Sequence, residues 1–556
     1  MKDFKKSVVY QIYPKSFMDT NGDGFGDLQG VISKLEYLKL LGIDYIWLTP
    51  FYESPQRDNG YDVADYCKID PRFGTMEDFK KLVTQANALE IDIMLDMVFN
   101  HTSTEHQWFQ KALKGDEKYK DFYIFKKPSK AKEPNNWQSK FGGSCWEYVK
   151  DFNEYYLHLF DATQADLNWD NIELRKEIFE IVNYWIKIGV KGFRFDVINL
   201  ISKPKEFKDD YEGDGRRFYT DGPFIHQYLK ELNNETFGKH PEIVTVGEMS
   251  STSIENCIKY SNPAEDELNM VFNFHHLKVD YHKGDKWTVM DFDFKLLKDI
   301  LNNWQIGMQK GNGWNAVFWC NHDQPRIVSR FGDDETYHRE SAKMLATAIH
   351  MLRGTPYIYQ GEEIGMTNPY FNRIDQYKDI ESINHYKILI EEGMEEEEVI
   401  QILQSKSRDN SRTPMQWDKG NNAGFTNSKP WISVANNYQE INVEEALKDS
   451  NSVFYHYQKL IKLRKNMDII AYGDYMPLLE DHEDIYAYMR TYENEKLIVI
   501  NNFYPRNAIF QLPAQLKLDD FNCRVLISNY ENSSERLDRL LLRPYESIVY
   551  HLEKRC

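Results

Sequence analysis

Several residue types that can move protons or attack carbon stand at the ends of short apolar runs in this 556-residue sequence. Asp96 closes one such run and His101 follows it; Arg194 and Asp196 close a second; Glu248 follows a third; His322 and Asp323 follow a fourth. A strand-end Asp often caps the next helix, and a lone Arg often closes an ion pair, so each alone has a plain structural use. Four acids at four strand ends are different, because unpaired carboxylates packed together raise one another's pKa at a cost of several kcal/mol. Glycoside hydrolysis uses such an arrangement: one ionised carboxyl attacks the anomeric carbon while a protonated one gives its proton to the leaving oxygen.

The runs that must position these residues are Val8–Tyr13, Tyr45–Leu48, Ile91–Val98, Val190–Val197, Ile243–Gly247, Met270–Phe274, Ala316–Cys320 and Pro356–Tyr359. They alternate with segments of helical period, which predicts a parallel sheet closed into a (β/α)8 barrel with the acids at its C-terminal mouth. One helix is predicted where Leu174, Ile178, Ile181, Val182 and Trp185 recur before Gly189, and another opens at Thr75 with Asp78 three residues on. Residues 101–171 interrupt the pattern after the third strand and read as an inserted domain B. A second insertion, about 368–427, carries the acidic stretch Glu391–Glu398, which reads as a solvated helix face. Beyond about Tyr475 short alternating segments predict an antiparallel β-sandwich. The expected division is therefore a barrel over 1–100 and 172–475, domain B over 101–171, and a C-terminal β domain over 476–556.

The net charge of −19 argues against nucleic acid or anionic membranes as partners. Aromatic residues make up 14% of the chain, and flat rings with polar tips suit the faces of sugars. The six cysteines are scattered without a C-x-x-C pair, no run of 18 apolar residues occurs, and the N-terminus lacks an apolar signal core. A monomeric cytoplasmic protein with reduced thiols is expected.

Asp96–His101, Gly192–Asp196, Glu248 and Asn321–Asp323, with Gln164–Asn168 as a fifth region, resemble the ordered sequence motifs of the α-amylase family of glycoside hydrolases. The resemblance covers essentially the whole chain. It implies that Asp196 is the nucleophile, Glu248 the general acid/base and Asp323 a carboxylate that stabilises the transition state. It also implies that His101 and His322 donate to the glucose ring. Arg194, two residues before Asp196 and so on the same face of its strand, is expected to hold Asp196 ionised.

Three further clusters refine the expectation. Asp58 and Tyr61, in DNGYD, resemble the residues with which oligosaccharide-type α-glucosidases of the family bind the non-reducing glucose, and Arg412, in SRDNSRTPMQW, is the arginine expected to pair with Asp58 and make the enzyme exo-acting. In Asp19–Asp27 the oxygen donors fall at alternate positions, as in the first part of an EF-hand, but position 12 is Gly30. The loop resembles the family's structural Ca²⁺ loop, with Asp19, Asn21, Asp23, the Phe25 carbonyl and Asp27 as ligands and Mg²⁺ as another occupant. The motifs QADLNW, FRFDVINLISK, TVGEMSS, FHHLKVDY and FWCNHDQPR most resemble the branch that cleaves trehalose 6-phosphate. The resemblance thus implies a retaining exo-α-glucosidase that gives glucose and glucose 6-phosphate, with oligo-1,6-glucosidase as the alternative and a non-enzymatic transporter-subunit role set aside because the three acids are complete. A chain of this charge must capture phosphate with local cations, and Lys278 and Lys286, in the loop after the sixth strand, are the expected ligands.

Overall fold

The computed structural model describes residues 2–129 and 132–555. Its centre is a ring of parallel strands: β1 (Val9–Ile12), β2 (Tyr45–Leu48), β3 (Asp92–Met97), β4 (Gly192–Phe195), β5 (Val244–Glu248), β6 (Met270–Phe272), β7 (Ala316–Val317) and β8 (Thr355–Tyr359). The strands pair in the order β6-β5-β4-β3-β2-β1-β8-β7, and a parallel bridge between Val271 and Asn315 closes the ring. This is the expected barrel. Val9 pairs with Tyr45 on one side and Tyr357 on the other, so the first strand lies against the last.

The apolar runs form strands because they are flanked on both sides, by ring interior and by helices, and so can be hydrophobic throughout. Helix α1 (Met76–Ala88) begins at the Thr75–Asp78 capping box, and α2 (Ile172–Ile188) is capped by Asn171 and ended by Gly189 in the left-handed conformation. Leu174, Ile178, Ile181, Val182 and Trp185 are all buried, as their spacing predicts. β7 is shorter than the run from Ala316 to Cys320 suggested. Trp319 donates its indole N–H to the Leu345 carbonyl at 2.8 Å, which pulls the chain out of the ladder and under the neighbouring helix His338–His350.

Between β3 and α2 the chain builds a small layer of its own, with an antiparallel sheet of Phe125–Lys126, Glu154–Leu157 and Trp146–Val149. It also contains the helix Gln107–Leu113, which the sequence pattern did not suggest. This layer is tied to the barrel mouth by buried Lys203, whose ammonium lies 2.6 Å from Asn100 Oδ1 and 2.7 Å from Asp166 Oδ2. The acidic stretch Glu391–Glu398 is not one helix face. α3 (Ile380–Glu391) ends before Gly393 at φ 93°, and α4 (Glu396–Lys406) starts beyond it, so the run is split by a turn that keeps its like charges on two helix ends.

After helix Val453–Asn466 the chain forms an antiparallel sheet in the order 474–478, 485–492, 495–502, 547–554, 521–528, covered by the ribbon 508–511/539–542. Arg490, fully buried, fastens this sheet to the barrel by donating to the Met351 and Gly473 carbonyls.

The Asp19–Asp27 loop is held by its own turns and by residues 425–431. Asp19 Oδ1 accepts from the Asn21 and Gly22 amides, and Asp19 Oδ2 accepts from the Gly24 amide and the Thr426 hydroxyl. Gly24 has φ 91°, and a Cβ there would meet the Lys429 carbonyl oxygen at 2.2 Å. Gly24→Ala is therefore expected to strain the backbone by about 2 kcal/mol and lower the calorimetric midpoint by a few degrees. An unchanged midpoint would show that the loop is not clamped against Lys429.

Candidate active site

The sheet register assembles the site. Arg194 of β4 is the register partner of Asp96 on β3 and of Val246 on β5, and Asp196 lies two residues on, at the C-terminal end of the same strand. The buried Arg194 guanidinium places Nη1 2.7 Å from Asp96 Oδ1 and 2.6 Å from Asp196 Oδ1, and Nη2 2.6 Å from Glu248 Oε2. Three carboxyls from three adjacent strands share one cation. Asp96 is fixed further by Tyr61 Oη at 2.9 Å and by the indole N–H of Trp47 at 3.2 Å. Below them Trp47, Phe272 and Tyr357 form an aromatic floor, with Phe272 and Tyr357 centroids 4.6 Å apart.

Immediately after Asp196 the backbone turns sharply. Val197 has φ 35°, a left-handed conformation that a β-branched residue adopts only under constraint. The constraint is visible, since the Val197 amide donates to Glu248 Oε2 at 3.1 Å. The turn ties the segment after Asp196 to the second carboxyl.

Burial, and the nearby Glu248 and Asp96 carboxyls, raise the Asp196 carboxyl well above the ordinary aspartate range, with Arg194 opposing them. The Glu248 carboxyl, held on the other terminal nitrogen of the same guanidinium, is thus one of the groups that raise Asp196. Asp323 differs. Burial would raise it, yet it is held well below the usual carboxylate range. His322, itself pushed down to about 3 by burial and by three arginines, is neutral at neutral pH, so Arg408 and Arg412 are what keep Asp323 ionised.

Asp58, Tyr61 and His101 converge on the same pocket as Asp196, Glu248 and Asp323, a cavity of about 1070 Å³ including its open mouth. His101 Nε2 lies 3.0 Å from the Tyr61 carbonyl, and burial lowers the imidazole to about 4. His322 stacks flat on Tyr61 at 5.0 Å and takes a hydrogen bond from Gln11 on Nδ1 at 2.8 Å. Its proton therefore sits on Nε2, a buried atom 3.2 Å from Asp323 Oδ2 that makes no hydrogen bond within the protein.

One expected pairing is corrected. Asp58 is met by Arg408, with Nη2 3.1 Å from Oδ1, and not by Arg412. Residues Asp409–Arg412 make a single helical turn, which sets Arg412 back from the pocket. There it donates to the His322 carbonyl at 2.8 Å and to Asp323 at 2.7 Å. Arg408 also reaches Asp379 at 2.9 Å, and Asp323 and Glu381 at 3.4 Å each. Two arginines four residues apart in one motif were not separable by spacing. Asp379 and Glu381 gave no signal beyond an N-cap type preceding α3.

Three lysines also line the pocket, Lys278, Lys140 and Lys286, the last of which borders the Arg408 cluster through Glu381. Lys286 Nζ is engaged by Glu381 at 2.7 Å, and Lys140, from the layer between β3 and α2, was not singled out by sequence. The Asp19–Asp27 loop lies apart from these residues. Asn21 Oδ1 and Asp23 Oδ1 each accept one amide, and Asp27 accepts from Thr20 and from the Gly30 amide. Among the described residues, the carboxylate and imidazole atoms gathered within 4.8 Å of one another are those of Glu495, His551 and Glu553 on the C-terminal sheet, not those of this loop.

Because Arg194 neutralises Asp96, Asp196 and Glu248 together, Arg194→Met should destabilise the fold by about 3–5 kcal/mol. Of the carboxyls it leaves, Asp96 and Asp196 have folded-state pKa values raised above their unfolded values, so stability is retained below pH 4 and is lost as pH rises through the raised values. Denaturant unfolding at pH 5 and pH 8 checks this. A loss no larger at pH 8 would show that the guanidinium is not the compensating charge.

Residues 11–473 match the family model of the α-amylase catalytic domain, and residues 485–549 match that of the α-amylase SusG C-terminal domain. The chain is 58% identical to trehalose-6-phosphate hydrolase from Bacillus subtilis (strain 168), over 100% of this chain and 99% of that one. It is 50% identical to oligo-1,6-glucosidase from Bacillus cereus, over 99% of each. The crystal structure of Bacillus licheniformis trehalose-6-phosphate hydrolase superposes with a TM-score of 0.96 at 58% identity, covering 99% of this chain and 100% of that one. With its barrel, its carboxyls gathered on Arg194 and a family model spanning the barrel from β1 to the C-terminal sheet, the chain belongs to the α-amylase family of glycoside hydrolases.

Proposed function

We propose that this chain is a retaining, exo-acting α-glucosidase that hydrolyses α,α-trehalose 6-phosphate to glucose and glucose 6-phosphate. The observation that carries the reading is the pairing of Asp196 and Glu248 on one guanidinium, inside a pocket lined by both carboxyls and lysines. Asp196 attacks C1 of the unphosphorylated glucose as Glu248, in its acid form, passes its proton to the departing oxygen. The C1–O bond to glucose 6-phosphate breaks as the bond to Asp196 forms. Water then attacks C1, Glu248 takes its proton, and Asp196 leaves, so two inversions give retention. Asp323, ionised, takes up sugar hydroxyls, and His322 Nε2 is the donor facing them, while His101, whose N–H is donated to the Tyr61 carbonyl, lines the pocket beside them. Asp58 with Arg408 ends the pocket at the non-reducing glucose.

Phosphorylation of the substrate is supported by the lysines of the pocket and by the names of the B. subtilis and B. licheniformis relatives. The proposal places the reaction in the cytoplasm, since a phosphorylated sugar does not cross a bilayer unaided; no helix among the described residues is long and apolar enough to span one. It takes the enzyme as a monomer, with the barrel, the inserted layer and the C-terminal sheet as its three domains.

We also propose that the Asp19–Asp27 loop holds a structural Ca²⁺, with Asn21, Asp23 and the Phe25 carbonyl supplying oxygens beside Asp19 and Asp27. The ion's contribution is to stability, so chelation should lower the melting temperature more than activity at moderate temperature. An Asp23→Ala variant with unchanged stability and unchanged metal content overturns the site.

Asp196→Asn and Glu248→Gln should leave folded proteins whose turnover on trehalose 6-phosphate falls by several orders of magnitude, with Glu248→Gln less impaired on substrates that carry a good leaving group. Activity within about tenfold of wild type in either variant refutes the assignment. The substrate is tested by comparing kcat/KM for trehalose 6-phosphate and isomaltose, and a preference for isomaltose moves the enzyme to the oligo-1,6-glucosidase alternative.

A further inference from the structure

The charged groups of the pocket differ in whether they are already paired, and this decides where a phosphate can lie. Around Arg408 stand Asp58, Asp323, Asp379 and Glu381. The cations at that end, Arg408, Arg412 and Lys286, are already engaged by these four carboxyls, so a phosphate dianion there would meet carboxylates and no free cation. The leaving sugar must therefore carry the phosphate, on the far side of Glu248.

Three lysines line the pocket, and they are not equivalent. Lys286 is already paired with Glu381 at 2.7 Å. Lys140 donates to the Ser250 hydroxyl at 3.1 Å, two residues beyond Glu248, with the Phe160 and Tyr219 rings about 6 Å from its ammonium. Among the described residues neither Lys140 nor Lys278 has a carboxylate within ion-pairing distance. The charged groups facing Lys140 are Arg216, Lys278, Asp214 and Glu248, and Asp214 is taken up by Arg216 at 2.7 Å.

We propose that Lys140 and Lys278 together seat the phosphate of the leaving sugar, with Lys140 as the residue that sets selectivity for a phosphorylated substrate. This rests on the substrate reading above. It also assigns a purpose to the layer between β3 and α2, which carries Lys140 to the barrel mouth beside Glu248.

Two ammonium groups without a carboxylate form an unfavourable arrangement until an anion arrives. Burial, then Arg216 and Lys278, push Lys140 down to about 7, so it loses its charge as pH rises through neutrality. A sugar phosphate gains its second charge at about pH 6. Phosphate capture is then strongest between roughly 6 and 7, and KM for trehalose 6-phosphate rises above pH 7.

The experiment measures kcat/KM and KM for trehalose 6-phosphate and for p-nitrophenyl α-glucoside in wild type, Lys140→Met and Lys140→Arg, with folding checked by calorimetry. Lys140→Met should lose at least tenfold more kcat/KM on the phosphorylated substrate than on the neutral one. Lys140→Arg should recover part of that selectivity and lack the rise of KM above pH 7, because a guanidinium does not titrate there. Equal losses on both substrates, or the same pH limb in Lys140→Arg, overturn the proposal. If the wild type prefers isomaltose, the substrate reading fails. The lysine pair is then judged by inhibition of p-nitrophenyl α-glucoside hydrolysis by inorganic phosphate, and inhibition no weaker in Lys140→Met than in wild type overturns it as well.

Discussion

One guanidinium underlies the chemistry of this molecule. Three buried carboxyls at the mouth of a barrel would expel one another or take up protons if nothing compensated them, and Arg194 reaches all three within 2.7 Å. Its position follows from strand register alone, since neighbouring parallel strands put Arg194 opposite Asp96 and one step inward from Asp196. The guanidinium holds Asp196 and Glu248 side by side, the arrangement in which one carboxyl can attack and the other donate.

Around that centre the pocket is charged. A second arginine, Arg408, gathers Asp58, Asp323, Asp379 and Glu381 into a closed end that Lys286 borders through Glu381, while Lys140 stands by Ser250, next to Glu248 in the pocket wall. The same device recurs at the seam between the barrel and its inserted layer, where the buried Lys203 ammonium joins Asn100 and Asp166. Lysine and arginine thus supply from within the chain the positive charge that clustered oxygens require.

The strand ends were legible in sequence because barrel strands are short and apolar, so a polar residue at their C-terminal end stands out. Asp196, Glu248 and Asp323 converge for that reason. Arg408 was misread as Arg412 because the two arginines lie one helical turn apart, and which of them meets Asp58 depends on how the turn is anchored to His322. Lys140 was invisible because its segment has no regular period, and its place beside Ser250 is set by the folding of the inserted layer against the barrel. The acidic run 391–398 misled because composition gives charge density but not the position of a turn; Gly393 is what divides it.

The pairing of β1 with β8 has a bearing on how the protein is made. Val9 finds its second neighbour only when Tyr357 exists, and the arginines of the pocket come later still. At about 5–20 residues per second, the interval between those two strands is on the order of 20–70 s of synthesis. Throughout it one edge of the first strand is unpaired and its apolar faces lack their covering. A growing chain of this kind is sticky before it is active, so its yield in a cell depends on what shields that edge while the ring is still open.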